Sequence, residues 1–480
     1  MSNSFDPRFS RRGFLKGSAL VMGSALFPAF ARASGKTDVT IIGAGLSGLY
    51  AASLLEQSGL TVRVLEGRNR IGGRLYTLDD VPGAPEAGGQ TIGPNYGRMI
   101  FNASRVGVPL NQVDFGLGNE PVRQVMQVAG QRVLPADWAT CAGNPFPDEF
   151  KAMTPDQLLP VLLGKPPFSQ GNDWLSDSNF NLDIPVSQLL REKGLSAKAI
   201  EMLGAANNYG RTLDESSLLF LYRNNYFVMQ SMQTPGGVKM AQGGNQRVPE
   251  AMAKHLSGEV LTGKVAAKIK ERDSGITVRC DDGSEYESQY VLSSVPFSTL
   301  RHVEIDAPLH VMQREAINEL EYGKVYQAHF EVVSPFWEGK GFLPNVWSDS
   351  VIERVFASDP SQSGKITNLT VWINGKGVEA VEKLSEKDAA ALIQKSLYEA
   401  LPEAKGAVKF VRLFNWQDSP MSRGSFATWK PGQVARYANV MATPTSRLHF
   451  CGEHTAQWAS GMEGALESGE RAANEILTKV

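Results

Sequence analysis

Three closely spaced glycines and a later acid carry the clearest chemistry in this 480-residue chain. Gly43-Ala44-Gly45-Leu46-Ser47-Gly48 follows the β-branched run Thr37 to Ile42, and Thr61 to Leu65 runs into Glu66. A glycine turn between a strand and a helix lets backbone N–H groups at the positive helix end face a pyrophosphate, and an acid closing the next strand can hold a ribose hydroxyl. In that reading Gly43 permits the turn, Gly45 lets the phosphate approach, and Gly48 allows close packing. Leu46, Leu49, Tyr50, Leu54 and Leu55 recur at helical spacing up to Gly59, so the segment predicts strand, helix and strand of the Rossmann type. A second feature lies in Gly323 to Val333. Lys324 is in phase with Tyr326, Ala328, Phe330 and Val332, which predicts an ammonium on the apolar face of a strand. A lysine at a strand end that snorkels to solvent is the alternative.

The segment Arg68-Asn69-Arg70-Ile71-Gly72-Gly73-Arg74-Leu75-Tyr76-Thr77 resembles the R-x-G-G-R-x-x-T stretch of flavin-dependent amine oxidases. The tail Cys451-Gly452-Glu453-His454-Thr455 and Met462-Glu463-Gly464-Ala465 is similar to that family's closing motif. The family includes monoamine, polyamine and L-amino acid oxidases. The resemblance implies FAD, with Gly43, Gly45, Leu46, Ser47, Gly48, Glu66, Arg68, Gly73 and Arg74 on its dinucleotide part. It sets the loop Gly89, Gln90 and Thr91 against the ring, the backbone of Val265 against adenine, Gly452 and Glu453 on hydroxyls, and the helix start at Gly461 and Met462 beside the reactive ring. Val265 reads equally well as an ordinary edge-strand valine. Lys324 becomes the implied catalytic lysine, holding a water at the flavin.

Two departures shape the expectation. Covalent monoamine oxidases carry a cysteine where Ser425 stands, which implies non-covalent FAD; of the paired cage aromatics, Phe426 keeps one and Gly461 lacks the other. Trp416, Trp458, Arg98 and Arg223 complete the expected substrate residues, with Arg423 a further candidate for a carboxylate. The implied reaction is hydride transfer from a carbon bearing an amine, then hydrolysis of the imine and reoxidation by dioxygen. The expectation is an L-amino acid oxidase, with a primary amine or polyamine oxidase and an amine dehydrogenase serving a periplasmic protein as alternatives.

The elements positioning these residues give an α/β fold, in which a Rossmann-type FAD-binding domain interleaves with a mixed α+β substrate domain, as in amine oxidases and p-hydroxybenzoate hydroxylase. The boundaries expected are 36–105, 240–305 and 405–480 for the cofactor domain, and 106–239, largely helical, with 306–404 for the substrate domain. The aromatic run Phe220 to Phe227 reads as core. A composition 42% hydrophobic and 20% charged suits large cores, and a net charge of −2 offers no basic field for nucleic acid. Three scattered cysteines and six histidines without ligand spacing predict no metal.

The N-terminus adds an address. Ser10-Arg11-Arg12-Gly13-Phe14-Leu15-Lys16, an uncharged run from Gly17 to Phe30 and the small residues Ala29, Ala31 and Ala33 predict a twin-arginine (Tat) signal peptide over 1–33. A periplasmic or secreted protein follows, a client of the Tat machinery with no stable membrane insertion after processing. Oligomeric state stays open, a homodimer being one alternative.

Overall fold

A computed structural model describes residues 37–113, 124–205, 207, 210–359 and 365–480. The expected export signal at 1–33 lies outside them. Thr37–Ile42 is the central strand of the first sheet, parallel to both Val62–Leu65 and Glu285–Ser293. Glu259–Leu261 extends one side in parallel and Leu448–Phe450 pairs with Glu285–Ser293 in parallel. Val39 to Ile42 and Val291 to Ser293 are buried without interruption, as strands covered on both faces are, whereas the first half of Glu285–Ser293 is polar and largely uncovered. Helices Leu46–Gln57 and Gly461–Leu477 cross closely enough that a Cβ on Gly469 would stand 2.4 Å from the Ser47 carbonyl. Gly275–Cys280 and Ala266–Arg272 add an antiparallel hairpin ahead of the parallel edge strand Glu304–Asp306.

A second sheet runs in the order Val408–Asn415, Tyr326–Val332, Asn368–Ile373, Arg354–Ser358, Val346–Ser348, Val125–Val128, Gln131–Val133. Alternation splits the faces of Tyr326–Val332. Tyr326, Ala328 and Phe330 join a core with Ile393 and Leu397 of helix Glu386–Ala400. Gln327 and His329 take the other face, opposite Trp372 and Thr370. Helices Pro155–Leu163, Val186–Glu192, Ala197–Gly204 and Leu218–Gln233 share a core, into which Phe220 and Tyr222 pack and which continues into Ile42, Leu65 and Val291 of the first sheet.

Two expectations change here. Val408–Asn415 pairs with Tyr326–Val332, so the chain from 405 first completes the second sheet before turning to the cofactor side. The hairpin Val125–Val133 likewise adds strands to a segment expected to be mostly helical. Residues 37–480 form one compact unit. No helix among the described residues is long and apolar enough to cross a membrane.

Candidate active site

A cavity of about 380 Å³ opens where the first parallel strands end, and both sheets contribute to its wall. Its floor is the glycine turn. Gly43 has φ +107° and donates its N–H to the Leu65 carbonyl at 2.7 Å, while a Cβ there would meet Ser294 Oγ at 2.3 Å. Gly45 has ordinary φ, but a Cβ on it would meet only Gly73 Cα at 3.9 Å and would otherwise project into the cavity. The helix beginning at Leu46 has no side-chain cap and no acid in its first turn, which leaves its N–H groups to a ligand. Leu46, Ser47 and Gly73 line the wall beside it; Gly48 does not. A Cβ on Gly48 would lie 2.2 Å from the Gly43 carbonyl, so this glycine serves packing.

Three charged groups hold the adjoining wall. Glu66 accepts from the backbone N–H of Ala44 at 2.8 Å and of Arg68 at 2.9 Å, which fixes its carboxylate on the cavity. Arg68 donates to Ser422 Oγ at 2.5 Å and lies 3.6 Å from Glu66; burial lowers its pKa. Arg74 binds Glu453 at 3.1 Å and the Ser425 carbonyl at 2.7 Å. Val265, Gly452, Gly89 and Gln90 also line the cavity. A second uncapped helix start, Gly461 with φ +56° followed by Met462, faces it as well. Glu463 in that first turn does not quench the helix end, because it is buried and accepts from the N–H groups of Arg98 and Met99.

At the far end the wall is flat and apolar. Trp416 donates its indole N–H to the Ala87 carbonyl at 2.6 Å, and Phe426 and Trp372 stand with it. Gly88 is required there, since a Cβ would be 1.9 Å from the Arg74 carbonyl.

Other expected site residues lie elsewhere. Lys324 precedes the strand and its side chain is 53% exposed, with Nζ 2.5 Å from Glu382 in a separate cleft. The alternation does not extend back to it. Glu321–Tyr322 pairs with Ala427–Thr428 in a ribbon of its own, and at the break between ribbon and sheet Val325 turns inward and Lys324 outward. The strand's apolar face, moreover, packs on helix Glu386–Ala400; the face shared with cavity-lining Trp372 carries Gln327, 1% exposed, whose Oε1 has no partner among the described residues. Thr91 is exposed, because its neighbour Ile92 takes the inward position. Trp458 packs edge-on against Phe227 at 5.6 Å, away from the cavity wall.

Neither substrate arginine reaches the cavity. Arg98 is bound to Glu463 and Glu470. Arg223 is fully buried between Trp174 and Phe220 and donates to the carbonyls of Ala456 and Ala459, so it secures the loop ahead of Gly461. Arg423 lines the second cleft, which shares Phe426 with the cavity. Sequence reasoning missed Trp372, whose place depends on strand pairing that no local pattern reveals. Ser294, Val295 and Pro296 were missed as well; they line the wall where the strand Glu285–Ser293 ends, a position that could have drawn attention.

Two uncapped helix starts, a carboxylate beyond the second strand and a flat apolar end define a dinucleotide-dependent oxidoreductase of the flavoenzyme type. Residues 46–477 match the family described as flavin containing amine oxidoreductase, and the chain belongs to it. It is 26% identical over 482 residues to amine oxidase [flavin-containing] B of Homo sapiens, covering 92% of this chain and 86% of that one. A relative of Danio rerio, amine oxidase [flavin-containing], is 27% identical over 467 residues, with 92% and 85% covered. Among solved structures, wild-type putrescine oxidase bound to putrescine superposes with a TM-score of 0.74 at 25% identity, covering 92% of this chain and 99% of that one. Cyclohexylamine oxidase from Brevibacterium oxydans shares the fold, with a TM-score of 0.75 at 20% identity and 93% and 99% covered. FAD is therefore the cofactor, and the cradle just described fits it. Covalent attachment is not indicated: Ser425 stands at the cavity with its hydroxyl donated to the Gly323 carbonyl at 2.8 Å.

Proposed function

We propose that the chain oxidises a primary amine on an apolar carbon chain, and not an amino acid. One observation carries this. Every described cation on the cavity wall is already engaged: Arg68 with Glu66 and Ser422, Arg74 with Glu453, and Lys264 with Asp282 at 2.6 Å. A substrate carboxylate buried at the apolar end would find no bidentate partner, and an unpaired buried charge is strongly disfavoured. An L-amino acid would need Arg98, Arg223 or Arg423 at that end, and all three stand elsewhere.

FAD, which the glycine turn, Glu66, Arg74 and Glu453 would hold, would supply the hydride acceptor for the carbon bearing the amine and the two-electron donor for dioxygen. The protein's part is to place and shield. Trp416, Phe426 and Trp372 bury the alkyl chain and exclude water. The bond from Trp416 to Ala87 holds one plane fixed, so orientation is set before the substrate arrives. The helix starting at Gly461 offers its positive end to negative charge that develops at the wall. The overall balance is RCH2NH2 + O2 + H2O → RCHO + NH3 + H2O2. Anaerobic mixing of the yellow enzyme with a panel of alkyl amines and L-amino acids, followed by air, tests the reading. Amines should bleach the flavin and air should restore it with peroxide. Bleaching by amino acids alone would reverse the substrate proposal, and colour that returns only with a protein acceptor would replace dioxygen.

A further inference from the structure

Glu86 is 5% exposed and carries no ion pair among the described residues. Its carboxylate accepts from Thr77 Oγ1 at 3.1 Å and from the backbone N–H of Asn245 at 2.6 Å. Asn245, fully buried, donates Nδ2 to two carbonyls at once, Gly89 and Gln90, both at 2.8 Å, and accepts from the Ala241 N–H at 2.8 Å. Gly89 and Gln90 line the cofactor cavity. Gly244 brings this segment onto Thr77 with φ +100°, where a Cβ would sit 2.3 Å from Thr77 Oγ1. A buried carboxylate without an ion pair disfavours folding, so its position calls for a compensating role.

We propose that Glu86 is a positioning residue for the cofactor, acting through Asn245 to fix the Gly89–Gln90 backbone that forms one wall of the cavity. Without the carboxylate the Asn245 N–H is left buried and unpaired, and the segment that clamps both carbonyls loses its anchor. A glutamine at position 86 would keep the geometry, its oxygen accepting from Asn245 and its NH2 facing Thr77 Oγ1. The proposal rests on FAD occupying this cavity and not on which amine is oxidised, so it stands or falls without substrate.

The test is flavin retention by the purified holoenzyme, measured as the FAD dissociation constant, with the visible spectrum and the unfolding midpoint of the apoprotein alongside. Glu86→Ala and Asn245→Ala should each weaken FAD binding by about tenfold or more, the scale of one buried donor left unpaired. The double variant should be no worse than either single one, because both changes break one relay. Glu86→Gln should retain flavin nearly as the wild type does. Wild-type retention in Glu86→Ala, or losses that add in full, would overturn the proposal; so would lowered apoprotein stability with unchanged FAD affinity. If Glu86→Ala does not fold, the remaining pair decides: normal retention in Glu86→Gln with loss in Asn245→Ala supports the relay, and any other outcome overturns it.

Discussion

Burial pushes the Glu86 carboxyl up to about 7, against the opposing effects of the Asn245 and Thr77 hydrogen bonds and of Arg247; Asp79 adds to the rise. The folded pKa thus exceeds the unfolded one, near 4.5, and the sign follows. This group's contribution to stability is full below about 4.5, falls as pH rises toward and through about 7, and is flat beyond that. The loss is on the order of 3 kcal/mol for such a shift. Unfolding of wild type and Glu86→Gln between pH 5 and 8 should show a slope in the wild type that the glutamine variant lacks; parallel curves would place the titration elsewhere. Lys324 supplies the second test at this scale. Its ammonium is solvent-exposed and paired to Glu382, so Lys324→Met should change stability by less than about 1 kcal/mol. Stopped-flow flavin reduction should stay at the wild-type rate, and a tenfold slowing would return the lysine to the reaction. The sequence made this residue look buried because its phase matches Tyr326 and Ala328. Chain breaks between paired segments are invisible to a period-two count.

At the scale of elements, the strand, glycine turn and helix from Thr37 to Gln57 separate packing from ligand space within one motif. Gly45→Ala keeps an allowed conformation and adds a methyl facing the cavity. The apoprotein should melt within about 2 °C of wild type, while FAD binding should fall by about tenfold or more, since the methyl stands where the phosphate approaches backbone N–H groups. Gly48→Ala should do the reverse. Its Cβ meets the rigid Gly43 carbonyl at 2.2 Å, so the fold should lose about 2 kcal/mol or more before any ligand is considered. Equal effects of both variants on apoprotein stability would contradict this division. The motif was legible in the sequence because its geometry is local. Trp372 and the strand Val408–Asn415 were not, because their positions follow from pairing with Tyr326–Val332 far along the chain. Arg98 and Arg223 misled for a related reason: an arginine's type announces a charge, but only the tertiary contacts show that Glu463 and two carbonyls already claim it.

Over the whole molecule, the cavity is assembled from pieces that span the chain, from Gly43 through Val265, Trp372 and Phe426 to Ala465. Such a site exists only when both sheets are formed, so FAD binds the folded state alone and stabilises it by mass action. The melting midpoint of the apoprotein should climb with added FAD, and both sheets should unfold in one transition. This assembly bears on the twin arginines at Arg11 and Arg12, which lie outside the described residues and for which we propose Tat export. A chain threaded unfolded across a membrane would have to find its cofactor on the far side, whereas a route that carries folded proteins lets the flavin enter first. Replacing Arg11 and Arg12 with lysine should therefore leave a yellow, folded precursor on the cytoplasmic side, with the enzyme's own activity intact there. Undiminished activity in the periplasmic fraction of that variant would show that export does not depend on the pair. Export of a colourless form that acquires FAD only afterwards would break the link between cofactor loading and transport.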